Sequence, residues 1–160
     1  MAILTNFDIQ DILERNGTPP VFIGYKDQLR EKPLQVGAYV VNTASSNDGT
    51  GGVHWTAFLI EKIGGIHHVV YFDPLGQPPP PEVRIYVRKI DDDVWFNSEQ
   101  LQNENTSICG WYVLFWIYYM VQKRTRTLSI YTRYKNFLSM FSKEVENNRR
   151  LLQEYLKPLR

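Results

Sequence analysis

The sequence predicts an α+β domain: a small central mixed sheet of about five strands flanked by helices, with a cysteine at the N-terminus of a buried central helix. Three observations carry this. Four short runs rich in β-branched and aromatic residues, at 21–23, 38–41, 56–60 and 69–72, are separated by glycine, proline and asparagine, the punctuation of strands. Helical periodicity brackets them, once before the first run and three times after residue 109. The 160 residues, 43% hydrophobic and 14% aromatic, suit one domain over 1–160 and exclude disordered, collagen-like and disulfide-scaffold classes.

Taken in order, Thr5 and Asn6 are N-cap types ahead of Phe7, Ile9, Ile12 and Leu13, and Gly17 with Pro19 and Pro20 stops the pattern, which predicts an amphipathic helix over 6–16. The stretch 43–52 (TASSNDGTGG) is a loop, and the prolines Pro78 to Pro81 form another, stiffened toward polyproline geometry. Residues 84–90 are the weaker candidate for a fifth strand, and Asp91 to Asp93 make a turn. Residues 110–122 are apolar on every face, so that helix lies inside the fold, while 128–141 and 143–156 repeat apolar positions at spacings near three and four. The continuously apolar 111–121 is too short for a bilayer, which needs about 20 residues.

The net charge of +1 gives no overall field for nucleic acid, although the first 80 residues carry 5 basic and 8 acidic groups and the rest 13 and 9. In the second half, Lys123, Arg124, Arg126, Arg133 and Lys135 have no acid between them and form the one candidate surface for a weak contact with DNA phosphates. Residues 1–13 lack a basic region and an apolar run, which argues against a secretory signal. A single cysteine, Cys109, forbids an intramolecular disulfide and suits a reducing compartment. With His67 and His68 pointing to opposite faces of a strand, no metal site is expected.

A lone cysteine beside an apolar helix is more often packing than chemistry, so the functional reading rests on partners. At a helix N-terminus, unpaired N–H groups and the macrodipole favour thiolate over thiol. His54 opens the strand that starts at Trp55 and can serve as general base. Asp73 ends the 69–72 strand; its carboxylate can accept the imidazole N–H and fix the tautomer. Gln102, seven residues ahead of Cys109, can donate its amide to an oxyanion alongside the Cys109 N–H, with Gln100 as the competing choice.

The segments VNTASSNDGTGGVHW, YFDPLG and QNENTSICG resemble the histidine, acidic and glutamine-cysteine motifs of adenain, the adenovirus maturation protease, within the group that includes the SUMO-specific proteases. PPVFIGYKDQL is similar as well. The order His, acid, Gln, Cys is opposite to that of papain-like enzymes. This resemblance implies a cysteine endopeptidase in which Cys109 attacks the scissile carbonyl, His54 shuttles the proton, Asp73 orients His54 and Gln102 supports the oxyanion. It further implies cleavage beside glycine, at Gly-Gly or Gly-X-Gly sites, with Trp55, Gly51 and Gly52 shaping a slot that rejects any Cβ. Capsid or precursor polyproteins would be the substrates, in the virion and the infected cell interior, nucleus or cytoplasmic virus factory, with the enzyme a monomer away from membranes. The shorter chain suggests a virophage or Maverick-type element. No cofactor is required, and an activating peptide or DNA would not be held by a disulfide, because adenain's second cysteine has no counterpart. An aspartate where adenain has glutamate resembles the SUMO-protease side of the group. Two other readings fit the same residues: a deconjugating protease acting on a ubiquitin-like modifier, and a non-enzymatic binding module with Cys109 buried and inert. Acyl transfer is a lesser third.

Overall fold

A computed structural model describes residues 1–47, 54–104 and 106–159. Helix α1 (Asn6–Arg15) starts at the expected caps: the Thr5 hydroxyl accepts the Asp8 N–H at 3.2 Å and the Asp8 carboxylate accepts the Thr5 N–H at 2.8 Å. Ile9 and Leu13 turn its apolar face inward.

The sheet is mixed, its strands in sequence order: β1 (Phe22–Tyr25), β2 (Gly37–Asn42), β3 (Trp55–Ile63), β4 (Ile66–Phe72) and β5 (Trp95–Phe96). The outer pairs β1–β2 and β4–β5 are parallel and the inner pairs antiparallel. The β3–β4 hairpin runs past both predicted strands to a two-residue turn, Gly64-Gly65, whose φ values of 58° and 82° suit glycine. Alternation splits the sheet cleanly. Val40, Ala57, Leu59, Val70 and Phe72 face one core with Ile9, Leu13 and the buried helix α3 (Cys109–Met120); Tyr39, Val41, Phe58, Ile60 and Tyr71 face a second, smaller core.

The second core corrects one expectation. Residues 84–90 are not the fifth strand but most of helix α2 (Pro81–Arg88) with the residues just after it. Pro81 at the first helical position supplies a preset φ, and Val83, Tyr86 and Val87 recur at helical spacing, burying a face that a strand would have split between two sides. The fifth strand is the two-residue β5 instead.

Helices α4 (Ile130–Ser139) and α5 (Val145–Tyr155) pack on the α3 side of the sheet. Here a second expectation fails. Arg133 is 2% exposed; its guanidinium donates two bonds to Glu61 of β3 (2.7 and 2.5 Å), and others to the Met120 and Leu128 carbonyls. It ties α4 to the sheet, with four of its five N–H donors taken, and is buried away from the surface a phosphate would touch. Lys123, Arg124, Arg126 and Lys135 are exposed. Among the described residues, no helix is long and apolar enough to cross a membrane.

Candidate active site

Pairing of the strands places the candidate residues at one end of the sheet. Trp55, the first residue of β3, stands opposite Asn42, the last of β2, and Phe72, the last of β4, stands opposite Ala57. His54, just before β3, and Asp73, just after β4, therefore meet: His54 Nε2 lies 2.6 Å from Asp73 Oδ1. The first turn of α3 comes down on the same end, where Cys109 Sγ accepts the N–H of Trp55, the residue after His54, at 3.3 Å, which sets the sulfur beside the His54 ring. No side chain caps that helix end and no acid lies in its first turn, so the positive end of the macrodipole is left uncompensated beside the sulfur.

Asp73 is 3% exposed and held on several sides. Its Oδ1 also accepts the Leu75 N–H at 2.8 Å. Asn97, beside β5, donates to the Asp73 carbonyl at 2.6 Å and accepts the Asp73 N–H at 3.0 Å, and the Tyr134 hydroxyl lies 2.9 Å from Asn97 Oδ1. Burial disfavours a charged ring at His54, but the bonds to Asp73 and Cys109, with the charge of both, outweigh it and raise its pKa from 6.5 to about 9. At neutral pH the ring is an imidazolium between a carboxylate and a sulfur.

A cleft of about 690 Å³ opens beside the sulfur, lined by Cys109, Ser107, Trp55, Asn42, Tyr25 and Leu4 among others. Cys109, though 5% exposed, reaches it. Trp55 is both core and wall: half-buried against the main core, it donates its indole N–H to the Leu4 carbonyl at 3.1 Å.

Gln102 is buried on the connection into α3, its Nε2 donating to the Thr106 carbonyl at 2.8 Å. An amide has two such hydrogens, so one remains. Gln100 is occupied differently, donating to the Gln102 carbonyl at 2.8 Å and lining a separate hollow with Trp95 and Lys135. Gly51 and Gly52 lie outside the described residues. His68 contacts Tyr131 through Nδ1 at 3.1 Å, and among the described residues no three His, Cys, Asp or Glu side chains form a metal-binding group. Sequence reasoning missed Asn97 and Asn42. Asn97 carries no local signal, since its partner is 24 positions away; Asn42 falls between the strand expected at 38–41 and the loop expected at 43–52.

The architecture is the SUMO-protease-like cysteine protease fold, with the cysteine at the head of the helix buried against a mixed sheet. Among solved structures, the chain is similar to the crystal structure of the ASFV pS273R protease, with a TM-score of 0.60 and 19% identity over 99% of this chain and 68% of that one. The selenomethionine form of that protease gives 0.57 and 20% over the same shares. No protein-family model matches the chain, and no curated protein does.

Proposed function

We propose that the chain is a cysteine endopeptidase of the adenain-like kind, encoded by a virophage or Maverick-type element, which cleaves viral precursor or capsid proteins beside glycine during virion maturation. The observation that supports it most is the His54 ring held between the Asp73 carboxylate and the Cys109 sulfur at a helix N-terminus that opens on a cleft. A packing cysteine needs none of these.

In this reading the Cys109 thiolate attacks the scissile carbonyl carbon, and the electron pair moves to the carbonyl oxygen. The Cys109 backbone N–H and the second Gln102 Nε2 hydrogen donate to that oxyanion. Imidazolium His54 passes its proton to the leaving amine, leaving an acyl-thioester and a neutral ring. The ring then takes a proton from water, the hydroxide attacks the thioester, and the thiolate returns. Asp73 accepts the Nε2 hydrogen throughout, which directs the other nitrogen to the sulfur. Trp55 walls the cleft closely enough to favour residues without a Cβ. The enzyme works without a metal or a disulfide-held activator.

The test is turnover of a fluorogenic peptide ending in Gly-Gly before its leaving group, and of the source's own structural proteins, by the wild-type chain and Cys109→Ala. Cleavage lost with the sulfur supports the reading. Absence of cleavage, with Cys109 inert to iodoacetamide at neutral pH until the chain unfolds, overturns it in favour of a binding module.

A further inference from the structure

We propose that Asn42 is a substrate-binding residue, whose side-chain Nδ2 donates a hydrogen bond to a backbone carbonyl of the peptide lying in the cleft. The proposal rests on the protease reading for its ligand and on four observations for its residue. Asn42 is 3% exposed, an unusual place for a primary amide unless its polar atoms are satisfied. Its Oδ1 accepts the Ala44 N–H at 3.0 Å, and only an oxygen can do so, which fixes which end of the amide is which. Its Nδ2 has no partner among the described residues, although its residue lines the cleft with Cys109. The strand register supplies the fourth. Tyr25, Asn42 and Trp55 are opposite one another across β1, β2 and β3, so their side chains share the sheet face on which α3 rests and form a row under the sulfur.

A peptide laid along that row presents carbonyls to the floor of the cleft, and a donor there with no partner among the described residues is matched by one of them. Side-chain-independent binding of this kind suits a substrate whose residues near the cleaved bond are glycines, because the backbone is then all there is to hold.

The experiment uses Cys109→Ala protein, so that binding is read without turnover or a thiolate, and follows the anisotropy of a fluorescein-labelled peptide ending in Gly-Gly. Asn42→Asp keeps an oxygen for the Ala44 N–H and loses the donor; Asn42→Ala loses both. Both substitutions are expected to weaken binding about five- to tenfold, the loss of one neutral hydrogen bond, with the aspartate at least as severe because it sets oxygen against oxygen. Peptides in which one carbonyl at a time is replaced by methylene should identify a single position that costs the parent a similar factor and costs Asn42→Ala nothing further. Asn42→Asp binding like the parent would reduce Asn42 to a brace for the turn at Ala44 and overturn the proposal, as would failure of the parent to bind the peptide at all. Peptide binding that depends on Asn42 in a chain whose wild type never cleaves would sustain the binding role and remove the protease reading alone.

Discussion

Replacing Asp73 by asparagine changes the shape of the site least and its charge most. Two contacts set the expected magnitude. The Leu75 N–H donates to the same carboxylate oxygen that His54 approaches, at 2.8 and 2.6 Å, so an amide at position 73 must turn its oxygen, and not its nitrogen, to that corner. His54 Nε2 then keeps its acceptor and its tautomer. What disappears is the charge. A hydrogen bond to an ionised group is worth about 1.5–3 kcal/mol and a neutral one about 0.5–1.5, so the imidazolium loses on the order of 1–2 kcal/mol. At 1.36 kcal/mol per unit, this amounts to about one pH unit. In the wild type, the protonated ring prevails below its raised pKa of about 9 and is lost as the pH climbs through it. The alkaline limb of kcat/KM should therefore fall near pH 9 in the wild type and roughly one unit lower in Asp73→Asn, with little change at pH 7, where the ring stays protonated in both. The assay is peptide cleavage from pH 5 to 10. A limb that stays in place refutes the claim that Asp73 holds the imidazolium. A loss of about 10⁴-fold, the size that follows when an asparagine imposes the wrong tautomer, refutes the claim that Leu75 pins the amide.

Cys109→Ala should abolish cleavage while the far-ultraviolet circular dichroism and melting temperature stay close to wild type, since only a sulfur at the cleft surface is removed. His54→Ala should be nearly as damaging and the double variant little worse than either; losses that multiply in single-turnover kinetics would assign the two residues separate roles. Gln102→Ala should lower kcat about a hundredfold with little change in KM, because a partly solvated oxyanion loses one donor. Gln100→Ala only unbraces the Gln102 carbonyl and should cost about fivefold, so the reverse order of the two glutamines would exchange their roles. Arg133→Leu should destabilise the fold by about 3–5 kcal/mol in urea melts, because it leaves Glu61 and the Met120 and Leu128 carbonyls without their donor; a neutral result would mean that water takes over the guanidinium's place.

What could be read along the chain was whatever is local. Runs of β-branched and aromatic residues bounded by glycine, proline and asparagine located the four main strands, and the cap Thr5 located α1. His54, Asp73 and Cys109 stood out because each lies at the edge of an element whose end was legible, and the resemblance of their motifs to those of adenain joined them into one site. The failures are of two kinds. In 84–90, Ile85, Val87 and Ile90 favour a strand by residue type, while Pro81 and the spacing of Val83, Tyr86 and Val87 favour a helix; the second core, which decides between them, is assembled from residues 22 to 87 and is invisible in a short window. Arg133 sat in a run of basic residues, and nothing local says that the acid answering it stands 72 positions earlier on β3. Asn97 failed to register for the same reason. It carries no chemistry of its own and acts by holding both backbone groups of Asp73, a role that only the fold creates.

The glycine after the nucleophile joins these levels. Inside a helix, glycine costs about 1 kcal/mol relative to alanine, so Gly110 at the second position of α3 works against the element it belongs to. The structure supplies the compensation: a Cβ at 110 would stand 3.1 Å from Leu4 Cβ and 3.5 Å from Ile9 Cδ1, closer than the first of these can tolerate without moving. Residues 2 to 5 thus lie directly across the first turn of α3. The Trp111 indole donates to the Ala2 carbonyl at 2.7 Å and the Trp55 indole to the Leu4 carbonyl at 3.1 Å. Trp55 is also the residue whose main-chain N–H reaches the sulfur. A short path of bonds therefore runs from the segment ahead of α1, through one tryptophan, to Cys109, and position 110, without a side chain, lets that segment lie close against α3. The local weakness in α3 is matched by close packing of the cleft wall, and it places the glycine, which propensity alone would count as a flaw, among the residues that build the site.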